Sequence, residues 1–236
     1  MQIFYLPQPD AAVLSGDEAR HCVKVLRHRP GDRIWCVDGA GTLYEARILE
    51  AEPEQVRLEV LSRTPDWGEH GRSLSLAFSP LHDKDRLEWM VEKSVELGVT
   101  ALQPLVCRRT DPYKAKFKPE RLQAILLAGL KQSKRSRLPV LHPQQPLEAW
   151  LQGPLPAGPR LLAYCEASRP LAAVQEAAAS ASSLTWLIGP EGDFTPEEVS
   201  ATEQQGFVSL SLGANRLRSE TAGLYALSWV KSAWGS

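Results

Sequence analysis

Two short segments carry the residue types that could do chemistry on a small organic ligand. The first, Gly189-Pro190-Glu191-Gly192-Asp193-Phe194, follows an apolar run over residues 184–188 and leads into Thr195-Pro196-Glu197-Glu198. Glycines on both sides of a turn let the backbone approach a ligand, and a carboxylate between them can bond a hydroxyl or an amine. A nucleoside-like ligand meets that description. Neither G-x-G-x-x-G nor G-x-x-x-x-G-K-[ST] occurs, which argues against phosphate cradling. The same residues also read as a tight turn before a capped helix, with Thr195 as N-cap, Pro196 at the first helical position and Glu198 three residues past the cap. The second segment runs from Leu212-Gly213 through Ala214, Asn215, Arg216, Leu217, Arg218, Ser219, Glu220, Thr221 and Ala222 to Gly223. It brings Arg216, Arg218 and Glu220 together between a strand and the last helix, where a surface ion pair of little energetic weight would also explain them.

Both segments need strands that deliver them to one edge. Residues 74–78, 101–104, 161–164, 184–188 and 207–212 read as short strands. Residues 85–97, 119–133, 170–181, 196–205 and 220–234 read as helices. Alternation of this kind implies a parallel sheet covered on both faces, with its ligand site at the carboxyl ends of the strands. The earlier part differs. Residues 33–37, 43–49 and 55–61 alternate apolar and polar, and Asp38-Gly39-Ala40-Gly41 is a turn signal, so a small antiparallel barrel is expected. Residues 16–29 read as a helix with Val23 and Leu26 on one side and basic residues on the rest. Pro65, Gly68 and Gly71 lie in an aperiodic stretch that marks a boundary between a domain at 1–70 and one at 73–236.

A chain of 236 residues, 43% hydrophobic and 23% charged, suits two packed domains and excludes the disordered regime. No apolar run reaches membrane-spanning length and the N-terminus lacks the layout of a secretion signal, so a cytosolic protein without a membrane role is expected. Cys22, Cys36, Cys107 and Cys165 are scattered, with no metal-binding spacing, and are expected to be reduced. A net charge of −1 argues against gripping RNA by bulk charge. Basic residues nevertheless cluster: Arg20, Lys24, Arg27 and Arg29 with His21 and His28, and Arg108, Arg109, Lys114, Lys116, Lys118, Arg121, Lys131, Lys134, Arg135 and Arg137 against Asp111 and Glu120. Such patches are RNA footprints or solvated faces.

The ordered set of motifs resembles the RsmE family, 16S rRNA uridine N3-methyltransferases of the SPOUT superfamily. It comprises Arg20-His21 with Val25-Leu26-Arg27 and Pro30-Gly31-Asp32, Lys84 with Glu92-Lys93 and Glu96-Leu97-Gly98, Gln132-Ser133 with Arg137 and Pro139, and the two glycine segments. The chain departs from the family pattern at Asp193, where many members have glycine, at Lys131, and at Asn215-Arg216.

The resemblance implies a PUA-like or OB-like β-barrel followed by an α/β SPOUT domain with a deep C-terminal trefoil knot, a topology that periodicity could not suggest. It further implies a homodimer and S-adenosyl-L-methionine as methyl donor, leaving S-adenosylhomocysteine, with no metal. By that likeness Gly189, Pro190, Glu191, Gly192, Leu212, Gly213, Leu217, Arg218, Thr221 and Ala222 surround the donor with the Tyr164-Cys165-Glu166 loop. Uracil N3 is a weakly acidic imide, so the reaction asks for a base and for a cation near the flanking carbonyl oxygens. Arg218 is the candidate cation, or a grip on the target phosphate; Glu220 is the candidate base, or a cap of the last helix. Arg20, Lys24, Arg27, Arg108, Arg109, Lys134, Arg135 and Arg137 are the candidate RNA contacts, with 16S rRNA in the assembled 30S subunit as substrate. Competing readings are a SPOUT methyltransferase acting on a transfer RNA or another ribosomal nucleotide, a catalytically silent RNA-binding module, and a metabolite-binding α/β protein.

Overall fold

The computed structural model describes every residue except Pro112, Lys114, Ala115 and Ser236. The chain divides into two compact units, Met1–Glu69 with Leu127–Leu138, and His70–Leu126 with Pro139–Ser236.

The first unit contains β1 (Ile3–Tyr5), β2 (Val13–Ser15), α1 (Gly16–Arg20), β3 (Arg33–Val37), β4 (Thr42–Ala51) and β5 (Gln55–Pro65). They form a curled, open sheet in the order β1-β3-β4-β5-β2, antiparallel except for the β1–β3 pair. The two three-residue strands at its edges are too short to leave a periodic signal, and sequence reasoning missed both. Alternation sets the core: Ile34 and Cys36, Tyr44, Ala46 and Ile48, and Val56 and Leu58 point to one face and enclose Phe4, Leu14 and Cys22. Val37 and Leu43 lie out of phase with them and pack with Ile3, Leu127, Leu130 and Leu138. Covering that second face is why residues 127–138 belong to this unit.

The predicted helix over 16–29 is shorter and differently phased. After α1 the chain widens into a π-helical turn at His21–Val25, with the amide of Leu26 bonded to the carbonyl of His21. Ala19 and Cys22 are buried while Val25 and Leu26 stay exposed, so Leu26 is not on the packed side. A wider turn adds a residue to the repeat and rotates everything after it, which a 3.6-residue period does not anticipate. Burial pushes the Cys22 thiol up to about 11 and, in the second unit, the Cys107 thiol up to about 12, so both behave as small apolar side chains.

The second unit runs β6 (Ser73–Phe78), α2 (Lys84–Glu96), β7 (Ala101–Val106), α3 (Pro119–Gln132, which enters the first unit at Leu127), β8 (Val140–Leu141), β9 (Gln145–Pro146) and α4 (Leu147–Gln152). It continues through β10 (Arg160–Ala163), a 3-10 turn at Leu171–Val174, α5 (Gln175–Ser180), β11 (Ser183–Ile188), α6 (Pro196–Gln204), β12 (Phe207–Leu210) and α7 (Ser219–Trp234). The sheet is parallel, ordered β12-β10-β11-β6-β7-β8. After β12 at one edge the chain crosses the loop that follows β10, with the Ser211 amide bonded to the Arg169 carbonyl, and α7 then packs on α2, α5, β6 and β11. A tail passing an earlier connection in this way departs from the ordinary rule that connections do not cross. No helix among the described residues is long and apolar enough to span a membrane.

Candidate active site

The glycine turns meet. Three loops leave the carboxyl ends of the adjacent strands β12, β10 and β11 and wall one cavity of about 750 Å³: Tyr164–Glu166, Gly189–Asp193 and Ser211–Ser219. Arg86 from α2, Arg109 from the loop after β7 and Ala222 complete it.

Each turn is held for a local reason. In the middle loop the Asp193 amide bonds the Pro190 carbonyl, and Thr195 then caps α6 in a reciprocal box with Glu198. The capping pattern read from the sequence is therefore present beside the ligand cavity, and the two readings of the turn are compatible. Phe194 is buried and anchors the turn; a Cβ on Gly189 would come within 2.8 Å of its ring. Arg109 clamps the outer side by donating from Nη1 to the carbonyl of Gly192 at 2.6 Å and to that of Phe194 at 3.3 Å. Asp193 adopts φ +63°, in the left-handed region where glycine is the usual occupant. Its Oδ2 accepts from the Cys165 amide at 3.0 Å, tying the loops after β10 and β11 together. Burial and this carboxylate push the Cys165 thiol above its usual range. Burial, and then the bond its hydroxyl donates to Glu166 at 2.9 Å, push the Tyr164 phenol up. In the third loop Gly213 has φ +127°, a conformation that side chains resist.

Of the residues singled out from the sequence, Tyr164, Gly189, Pro190, Glu191, Gly192, Leu212, Gly213, Leu217, Arg218 and Ala222 line this cavity, whereas Thr221 and Glu220 do not. Arg218 is exposed and makes no side-chain hydrogen bond or ion pair among the described residues; its backbone supplies the N-cap of α7. Glu220, read from the sequence as a candidate base or a cap of the last helix, lies outside the lining of the cavity. Its carboxylate is buried at the start of α7, with Oε1 3.8 Å from Nε of Arg86. Sequence reasoning passed over Arg86, and it also passed over His82, whose Nδ1 lies 2.9 Å from Oε2 of Glu191. No motif marks either residue, because Glu220 and Glu191 stand more than a hundred positions further along the chain.

The basic runs are sorted by their partners. Arg135, expected to contact RNA, is 4% exposed and ion-paired to the equally enclosed Glu69 at 2.8 Å, as a strut of the first unit would be. Glu69 also accepts from the amides of Ser136 and Arg137. Arg137 pairs with Asp66, Arg108 with Glu148, Arg121 with Glu88, Lys131 with Glu18 and Arg20 with Asp17. Arg109 is committed to the turn it clamps. Lys24, Arg27 and Lys134 remain exposed, the last two with φ near +60°. Lys114 lies outside the described residues.

A parallel sheet with one cavity at its carboxyl edge, accompanied by a small curled sheet, defines an α/β RNA methyltransferase with a PUA unit: residues 69–231 match the RNA methyltransferase domain family and residues 14–61 the RNA methyltransferase PUA domain family. The chain is 32% identical to the ribosomal RNA small subunit methyltransferase E of Bacillus subtilis, over 92% of this chain and 88% of that one. It superposes on the crystal structure of a probable rRNA-methyltransferase from Porphyromonas gingivalis with a TM-score of 0.89 at 32% identity, covering 100% of this chain and 99% of the other. Against the ribosomal RNA small subunit methyltransferase E from Neisseria gonorrhoeae bound to S-adenosyl methionine the TM-score is 0.88 at 30% identity, covering 99% and 98%. The chain belongs to the ribosomal RNA small subunit methyltransferase E family.

Proposed function

We propose that this protein uses S-adenosyl-L-methionine to methylate N3 of one uridine in 16S rRNA. The carrying observation is the cavity walled by the turns after β10, β11 and β12 in a chain of this family. The residues fit the methyl donor. Gly189 lets its turn pack against the Phe194 ring, Gly213 takes a backbone conformation that side chains resist, and Glu166, Glu191 and Asp193 line a space large enough for a nucleoside with an amino-acid tail. Bound there, the donor supplies a methyl group already activated by its sulfonium.

The chain has to do the rest. It must take the uracil out of its stack, because N3 lies on the Watson–Crick edge. It must hold N3 in line with the methyl group while water is excluded, a contribution of position more than of any single side chain. Arg218, exposed and without a side-chain partner among the described residues, is free to close on an RNA phosphate beside the cavity. Lys24, Arg27 and Lys134 supply further phosphate contacts, which position the RNA without reading its bases. Tyr164, Pro190, Leu217 and Ala222 contribute apolar surface to the cavity.

The same reading makes the protein a cytoplasmic homodimer acting on the 30S subunit. Trp89 on α2 and Tyr225 on α7 support a second copy, since these large side chains are 47% and 45% exposed on two helices that pack together. Mapping modified nucleotides in a strain lacking the gene tests the whole proposal. Loss of 3-methyluridine from 16S rRNA is expected; an unchanged 16S rRNA with a lost methyl group in a transfer RNA would overturn the substrate.

A further inference from the structure

We infer that Arg86 is the catalytic cation of this site and that Glu220 is its positioning residue; this rests on the cavity being the methyl-transfer site. Charge that develops on the uracil oxygens as N3 loses its proton is best stabilised by a donor already fixed in place, since such a donor need not reorganise during the reaction. The two cavity arginines nearest the last helix differ in this respect. Arg218 has no side-chain partner among the described residues and must be ordered by whatever it binds. Arg86 lines the same cavity but is held from two sides: Nε lies 3.3 Å from Oδ2 of Asp83 and 3.8 Å from Oε1 of Glu220.

Those two carboxylates are themselves fixed. Asp83 caps α2 through bonds that its Oδ1 accepts from the amides of Asp85 and Arg86. The Glu220 side chain is 9% exposed in the first turn of α7, whereas that of Arg86 is 39% exposed. Both carboxylates stand on the Nε side of the guanidinium, which carries further N–H groups on its Nη nitrogens, and the residue lines the cavity. Helix α2 packs on α7, so the pair sits on rigid elements and not on a loop. Glu220 is buried beside Arg86 and does not line the cavity, which is the physical reason to move it from base to support. The other charged groups sharing the cavity are Arg109, Glu166, Asp193, Arg216, Arg218 and Glu191, the last paired with His82.

The test is single-turnover methyl transfer to small subunits lacking the modification, followed from about pH 6 to 10, together with calorimetric binding of S-adenosylhomocysteine. Wild type is compared with R86A, R86K and E220Q. For R86A the rate is expected to fall on the order of 10²–10³-fold. Its pH profile should move to more alkaline values, because the N3 anion has lost its cation, while S-adenosylhomocysteine binds as in wild type. R86K should recover part of the rate. E220Q should lose less than R86A yet shift the profile in the same direction, which a merely structural role would not do. A wild-type rate and profile in R86A overturn the proposal, as does a folded R86A that no longer binds S-adenosylhomocysteine, which would assign Arg86 to the donor. Should R86A fail to fold, wild-type profiles in both R86K and E220Q overturn it equally. If wild type itself ignores S-adenosylhomocysteine, the reading of the cavity fails and this one with it.

Discussion

Asp193 ties two walls of the cavity together, and the cost of cutting that tie can be estimated. A hydrogen bond from an amide to a carboxylate contributes about 1.5–3 kcal/mol. The bond to the Cys165 amide is solvent-exposed, so the lower figure applies. Left-handed backbone costs an ordinary side chain about 1–2 kcal/mol and aspartate less. In Asp193→Ala the bond is lost and the strain stays, so the Tyr164–Glu166 loop must be ordered at the expense of ligand binding. About 1.4 kcal/mol corresponds to a tenfold weaker Kd, and a drop of that size in S-adenosylhomocysteine affinity is expected by calorimetry. Asp193→Gly should bind as weakly as the alanine variant but melt at a higher temperature, because φ +63° suits glycine. Asp193→Asn, which keeps an acceptor and tolerates that backbone, should fall between wild type and alanine. A folded Asp193→Ala protein with wild-type affinity would refute the argument that this carboxylate shapes the cavity.

Four further outcomes are expected. Gly189→Ala places a methyl 2.8 Å from the Phe194 ring, so the variant should lose about 1–3 kcal/mol in urea unfolding and bind S-adenosylhomocysteine less tightly. Arg135→Met leaves Glu69 buried without its counter-charge and should lose about 3–5 kcal/mol of stability, whereas Lys134→Ala should leave stability unchanged and weaken RNA binding in a filter assay. Burial opposes ionisation of Asp38, but the amides of Thr42, Ala40 and Gly41 and the Tyr44 hydroxyl outweigh it and hold this carboxyl below its ordinary 3.8. A lowered folded-state pKa gives stability that is fully present above the unfolded value and lost as pH falls through the folded one. Asp38→Asn should therefore be less stable than wild type at neutral pH and show a flatter acid-unfolding curve below about pH 4, followed by circular dichroism.

Much of the second unit was legible because its strands and helices are regular and its two glycine turns are continuous in sequence. Residues 184–188 and 196–205 were read nearly as they fold, since an apolar run and a capping box are local signals. What the sequence hid is set by distant partners. Arg135 and Lys134 are neighbours in a basic run, yet only the fold reveals that Glu69 takes one of them out of solvent and leaves the other exposed. Glu220 was weighed only against its neighbours, as an ion-pair partner, a cap or a base, because Arg86 stands far earlier in the chain. The edge strands Ile3–Tyr5 and Val13–Ser15 and the short helix Leu147–Gln152 were missed because so few residues cannot display a period. The widened turn at His21–Val25 broke the assumption of a constant helical repeat.

The segment Ser211–Ser219 is at once a wall of the cavity and the lead-in to α7, whose stripe of Ala222, Gly223, Ala226, Leu227 and Val230 is buried. Ligand affinity is thereby hostage to the docking of the final helix. A trimmed side chain as remote as Val230 would register first as a weakened grip on the small molecule, while the rest of the sheet still held its shape, so partial undocking of the tail is a fault this enzyme would show in binding before it showed it in folding.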